Sequence, residues 1–301
     1  MNPSDPVQIF LEDSLLDSAR KGEHNFIRLM QEVLQASGLR VEFLHEDDRP
    51  RDHEGLSLVH MKPPLGRKGL TFRRVYHYPF WQIDQTERRW AWDVARVRFD
   101  PNSVPDAPAR KFQTFWRKRL YGVGEVEHNP DGPVYVPLQG KLTEQRSFQT
   151  ASPVEMLETT LRLEHERNVI ATLHPKETYT NADHTALDRL QRTNPRLTVT
   201  NGHPGEFLLR CAYVVTQNSG VAFDGFFFDR PAILFAKIDF HHIGQSLTRM
   251  TAEEAFARVL SDRPDFAKYV HWFWQQNCIN AGRDDAKGKI RARFQRLGWL
   301  I

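Results

Sequence analysis

The stretch "VIATLHPKETY", residues 169–179, runs an apolar segment into His174-Pro175 and then into the charges Lys176 and Glu177. An imidazole titrates near neutral pH, so it can hydrogen-bond a phosphate or move a proton. A proline fixes its own φ and so holds the direction of the turn that carries the ring. Taken alone, His174 reads first as a strand-end histidine satisfied by its own loop.

Three other stretches carry polar groups at the ends of apolar runs. "VPLQGKLTEQ" ends a run in Gln139 and continues to Glu144 and Gln145. Glu144 there is either a carboxylate facing a reaction centre or part of a solvated loop. "VVTQNSGVAFDGFFF" puts Asn218, Ser219 and Gly220 just before a helical pattern. Ser and Gly at a helix start offer backbone N–H groups and a favourable dipole to a phosphate. The same residues also cap a helix with no ligand present. Asp224 follows Ser219 by five positions, where it can meet a ribose hydroxyl or face solvent. "AKIDFHHIGQS" holds His241 and His242 side by side. Adjacent side chains seldom point at one ion and no carboxylate pattern accompanies them, so no metal site is expected.

The segment 72–92 interleaves Arg73, Arg74, His77, Arg88 and Arg89 with Trp81, Trp90 and Trp92. Such a mixture can stack on and pair with an anionic glycan. It also fits buried aromatics beneath a solvated arginine face, and residues 76–81 are the stretch where the glycan reading holds best.

The elements that would position these residues alternate. Residues 7–11 read as a strand, 12–25 as a polar turn, 26–38 as a helix ending on Gly38, and 39–47 as a strand. An aromatic helix is expected over 109–120. Residues 124–133 hold Gly, Asn, Pro and Asp between apolar blocks, which places a domain boundary there. Strands then alternate with helices: 134–139, 168–175, 196–202, 212–218 and 230–235 as strands, with a helix at 152–166 capped by Ser152 and Glu155. That alternation means a parallel sheet with helices on both faces. Residues 251–277 and 286–300 read as helices.

Composition narrows the class. The chain has 301 residues, 40% hydrophobic and 26% charged, which suits two α/β domains. The net charge of +3 is too weak to suggest a nucleic-acid partner. No apolar run reaches the ~18 residues of a membrane span. "MNPSDPVQIFLEDSLL" has no basic segment before an apolar one, so no signal peptide is expected. Cys211 and Cys278 form neither a disulfide framework nor a zinc pattern, which fits a reducing cytoplasm.

The joint order of these stretches resembles the capsule polysaccharide biosynthesis family, which includes the β-Kdo transferases (Kdo is 3-deoxy-D-manno-oct-2-ulosonic acid). The resemblance runs over residues 134–243, on "VPLQ", "SPVEML", "LHPKE" and "EFLLRCAYVVTQNSGVAFDGFFFDRPAILF". This chain departs from the family pattern at several positions. Thr172-Leu173 replace a basic residue before His-Pro, and Gly220 replaces Thr. Asp224 replaces Glu, and Asp229-Arg230 replace Gly-Lys before Pro231.

The resemblance implies a GT-B arrangement, two Rossmann-like α/β domains facing a cleft. An acceptor-side domain would span 1–128 and a nucleotide-sugar domain 129–283, with a helix at 284–301 returning to the first. His174, with Pro175 and Lys176, would contact the donor phosphate. Asn218, Ser219 and Gly220 would cap that phosphate, Asp224 would bind the ribose or hold the helix, and Gln139 would line the donor sugar. Glu144 is the nearest candidate for the family's acidic nucleophile; the alternative is that the chain lacks one.

The implied activity is sugar transfer in capsule or surface-polysaccharide synthesis, from a nucleotide-sugar substrate such as CMP-Kdo, with no cofactor or metal. The implied partners are a glycan or glycolipid acceptor and other polysaccharide-assembly proteins. The implied location is the cytoplasm, with peripheral contact at the inner face of the membrane. Two alternatives stand beside it: a CDP-glycerol-type glycerophosphotransferase, and a non-catalytic nucleotide- or glycan-binding protein of the same assembly.

Overall fold

The computed structural model describes residues 5–127 and 129–301. The first four residues, part of the stretch read for a leader, and His128, the expected end of the first domain, lie outside the described residues. In chain order the strands are β1 (Val7–Leu11), β2 (Val41–His45), β3 (Ser57–His60), β4 (Gly69–Arg74), β5 (Phe80–Asp84), β6 (Val134–Pro137), β7 (Val169–Thr172), β8 (Leu197–Thr200), β9 (Tyr213–Thr216), β10 (Ala232–Leu234), β11 (Gln245–Ser246) and β12 (Ile279–Asn280). The chain divides into two compact units: residues up to Val97 together with Phe273–Ile301, and Arg98–Trp272. Each is an α/β unit around its own six-stranded sheet.

The first sheet has the order β12-β5-β4-β3-β1-β2. Strands β2, β1, β3 and β4 are parallel, β5 is antiparallel to β4, and β12 is antiparallel to β5. Helix Asn25–Gln35 buries Phe26, Ile27, Met30, Val33 and Leu34, residues recurring at three- and four-residue spacing. Phe26 stacks on Trp81 of β5 with ring centroids 4.7 Å apart. The carboxyl-terminal helix Ala286–Arg296 adds Ile290 and Phe294 to the same core. Residues 12–25 are not the expected polar turn, because they contain helix Asp13–Arg20. That helix buries Leu16 and Ala19, and Asp13 and Arg20 sit at the ends where their charges complement its dipole.

The second sheet has the order β11-β10-β9-β6-β7-β8, and every pairing in it is parallel. Buried on both faces, its central strands read as continuous apolar runs. Helix Pro153–Leu163 starts with the expected capping box of Ser152 and Glu155. Helix Asp106–Tyr121 belongs to this unit as well. Its Gln113 Nε2 donates to the Phe226 carbonyl and to Asp229 Oδ1, both at 2.8 Å, and Arg117 Nη1 donates to the Phe227 carbonyl at 2.9 Å. These bonds hold the helix to residues far along the chain. The break between units therefore comes at Val97, and the loop 124–133 lies inside the second unit.

His60 ends β3 and is only 8% exposed. Burial, and then the nearby Arg73 charge, lower its pKa from 6.5 to about 4. The folded protein thus favours the neutral ring. Its contribution is fully present above pH 6.5 and is lost as pH falls from 6.5 towards 4. The first unit should lose on the order of 3 kcal/mol across that window through this one group. Denaturant unfolding at stepped pH should show the slope in the wild type and lose it in His60→Asn. An unchanged slope in the variant would contradict the assignment.

Candidate functional site

The second sheet is entered at its middle strand. The chain forms β6, then β7 and β8 on one side, and returns to β9 on the other side of β6. Successive connections leave in opposite directions at β6 and β9. In open parallel sheets the crevice beyond the carboxyl ends at such a reversal is where ligands bind. Gln139 and Gly140 follow β6, His174 follows β7, and Gln217, Asn218 and Ser219 follow β9. The expected residues thus gather at one edge of three adjacent strands.

The His174 turn is closed on itself. The His174 N–H donates to Tyr179 Oη at 2.7 Å, and the Glu177 N–H donates to the His174 carbonyl at 3.1 Å. The Lys176 N–H donates to His174 Nδ1 at 3.2 Å. With Nδ1 accepting, the neutral ring carries its proton on Nε2. His174, Pro175 and Lys176 are all exposed, so that Nε2–H is presented outward.

Glu177 lies on the same turn and reaches across to the end of β6. A Cβ placed on Gly140 would sit 2.2 Å from Glu177 Oε2 and 2.9 Å from its Cδ. The glycine therefore makes room for this carboxylate. Lys141, next in sequence, has φ 62, a left-handed backbone that is strained for a lysine. No cation pairs with Glu177 within 4.0 Å among the described residues.

Glu144, exposed like Glu177, differs in its partner: Lys141 Nζ donates to its Oε2 at 3.0 Å. The two loops are joined below the site by buried Asp183. Its Oδ1 accepts from the Thr143 N–H at 3.2 Å and its Oδ2 from the Thr180 N–H at 2.9 Å.

Buried amide groups surround the edge. Gln217 Nε2 donates to the Ala151 carbonyl at 2.9 Å, while its Oε1 is buried with no partner. Gln139 Oε1 and Gln149 Nε2 are also buried without partners. Buried polar atoms left unmatched are costly, and all three belong to segments that follow β6 and β9. Arg146 lies over the Phe148 ring at 5.1 Å, and exposed Lys237 follows β10.

Ser219 Oγ accepts from the Val221 N–H at 3.3 Å and caps the short helix Gly220–Gly225. Asp224 is buried instead of lining the edge. It takes a hydrogen bond from Tyr121, whose hydroxyl burial first and the Asp224 charge second hold protonated. His241 and His242 stack at 4.4 Å, and His242 Nδ1 shares a hydrogen bond with Tyr269 Oη at 2.9 Å. Sequence reasoning passed over Glu177, Tyr179, Gln149 and Lys237. Glu177 was visible as a charge after His-Pro, but its direction depends on Gly140, 37 residues earlier.

No family profile matches the chain, and no curated protein matches it. Among solved structures, the beta Kdo 2,7 transferase of Thermosulfurimonas dismutans KpsC is similar in fold. The TM-score is 0.53 at 9% identity, over 88% of this chain and 89% of that one. The beta Kdo 2,4 transferase of the same protein gives a TM-score of 0.48 at 13% identity, covering 89% and 91%. S. aureus MnaA with UDP gives 0.38 at 11% identity, covering 95% and 94%. The first likeness shows a shared fold. No helix among the described residues is long and apolar enough to cross a membrane.

If Tyr179 holds the His174 turn, Tyr179→Phe removes the acceptor of the His174 amide. A lost hydrogen bond of this kind is worth about 1 kcal/mol. Amide exchange at His174 should speed up about fivefold, with little change at β6 or β9. Exchange unchanged in the variant would mean the turn is held by other contacts.

Proposed function

We propose that this chain is a glycosyltransferase of capsular or surface-polysaccharide synthesis, using a nucleotide-sugar donor bound at the carboxyl ends of β6, β7 and β9. One observation carries the reading: the β6–β9 reversal gathers His174, Gln139 and Ser219 at one edge. The fold shared with a protein described as a beta Kdo 2,7 transferase supports Kdo, from CMP-Kdo, as the first donor to test.

Transfer breaks the bond between the anomeric carbon and the donor phosphate. The electron pair leaves with the phosphate oxygen of the released nucleotide, and an acceptor hydroxyl bonds to the anomeric carbon while its proton passes to solvent. His174 Nε2–H, with the Lys176 and Lys237 charges, stabilises the departing phosphate. A carboxylate stabilises the oxocarbenium-like centre. Glu177 fills that role better than Glu144. It sits against Gly140 at the strand end, whereas Glu144 is held by Lys141 away from it. The amide groups of Gln139 and Gln217 face donor hydroxyls.

A thermal-shift panel with CMP, CDP, UDP and GDP tests the reading, because a ligand bound only by the folded state raises its stability by mass action. CMP should give a shift that His174→Ala reduces. Glu177→Gln should keep the CMP shift and lose transfer by about a hundredfold or more, while Glu144→Gln keeps both. No shift with any nucleotide would refute the reading. A CDP preference would favour glycerophosphate transfer, and binding without turnover on any donor a non-catalytic role.

A further inference from the structure

Two stretches singled out by their residue types take no part in the transfer reading. The aromatic-basic segment 72–92 buries Trp81 and Trp92 in the core. The other is the pair His241-His242, whose second member lines a cavity of about 460 Å³ built wholly within the second unit. Gln245 of β11 also lines it, and Arg249 follows that strand. Arg258 ends helix Ala252–Arg258, and Asp262 and Arg263 come just after it. Strand β11 is the edge of the second sheet, three places from β6 in the strand order. At the ~4.8 Å spacing of neighbouring strands, the cavity stands about 14 Å across the sheet from β6.

The charges around the cavity do not balance. Three guanidinium groups line it against one carboxylate, and that carboxylate is engaged, because Gln245 Nε2 donates to Asp262 Oδ2 at 2.8 Å. Arg258 pairs with no carboxylate among the described residues. Glu254, one turn earlier, acts on it only through space. The Glu254 Oε2 already accepts from the Thr251 N–H at 2.9 Å and from Thr251 Oγ1 at 3.2 Å. Arg249 is held at one end. Its Nη2 donates to the His241 carbonyl at 3.0 Å and to His241 Nδ1. Its Nε and Nη1 make no hydrogen bond among the described residues. Like charges gathered around one cavity repel, and an anion between them relieves that repulsion.

We infer that this cavity binds a phosphoryl group, with Arg249, Arg258 and Arg263 as its cationic partners and the Gln245–Asp262 pair beneath them. A tetrahedral phosphate offers oxygens in several directions, so guanidinium groups from three separate segments can engage it. One planar carboxylate is filled by a single fork. His241 acts as the clamp that orients Arg249. The inference does not rest on the transfer reading, since none of these residues belongs to the ends of β6, β7 or β9.

The test is calorimetric titration of the full chain with inorganic pyrophosphate, and with oxalate as a planar dianion, at constant ionic strength. Wild type should bind pyrophosphate about tenfold more tightly than oxalate, and Arg249→Ala and Arg258→Ala should each weaken it about tenfold. Arg192→Ala, which removes an exposed arginine from helix Asn181–Thr193, should leave the affinity unchanged, as should His174→Ala. No pyrophosphate binding, binding unaltered in both cavity variants, an equal loss in Arg192→Ala, or oxalate bound as tightly would overturn the inference. Co-sedimentation with phosphatidylglycerol vesicles, against phosphatidylcholine, names the source of the phosphate. Capture that Arg258→Ala reduces assigns a lipid headgroup, and no capture assigns a soluble ligand; either upholds the site. A CMP thermal shift on the same samples keeps the two readings apart. Pyrophosphate binding without any nucleotide shift sinks the transfer reading alone. A nucleotide shift without pyrophosphate binding sinks this inference alone.

Discussion

The second sheet is built outward from β6, and that constraint organises the candidate site. A parallel strand needs a crossover to reach its neighbour, and crossovers on the two sides of a starting strand leave it in opposite directions. The connection that leaves β6 runs across the carboxyl end of β9: Gln217 Nε2 donates to the Ala151 carbonyl, and the Thr150 N–H donates to the Phe235 carbonyl just after β10. Gln139-Gly140 and Gln217-Asn218-Ser219 follow the two strands beneath it, with Gly140, Gln217 and Ser219 buried and Gln139 and Asn218 half-buried. Everything else at the edge is held relative to these strand ends.

The supports are mostly backbone hydrogen bonds and a few buried side chains. Asp183 ties the loop after β6 to the loop after β7 from beneath. Tyr179 closes the His174 turn, and Gly140 admits the Glu177 carboxylate. At the other end of the sheet, Tyr213 Oη donates to Glu164 Oε2 at 2.7 Å, and Arg167 contacts the same carboxylate. A rigid scaffold with its polar groups on loops is the arrangement by which a fold holds such groups in place.

Much of the second unit was legible in the sequence, because parallel strands buried on both faces leave continuous apolar runs such as "VYV", "VIAT" and "YVVT". The capping box at Ser152 was legible for a similar reason, since its signal lies within four residues. Helix Asp13–Arg20 was not, because only Leu16 and Ala19 of its eight residues are buried and the rest of the pattern is polar. The boundary at 124–133 was misplaced because the bonds from Gln113 and Arg117 reach residues 226–229, and local composition carries no trace of them. Asp224 illustrates the same limit. Its spacing from Ser219 fits a ligand-facing carboxylate, but Tyr121, a hundred positions earlier, turns it inward.

The central claim is that a nucleotide sits at the carboxyl ends of β6, β7 and β9. Hydrogen-exchange mapping at saturating concentrations of CMP, CDP, UDP and GDP tests it most directly. The account predicts that at least one nucleotide slows exchange in peptides covering 138–141, 173–179 and 217–221, with the first unit's sheet unchanged. Protection confined to other parts of the chain, or no protection with any of the four, would contradict it.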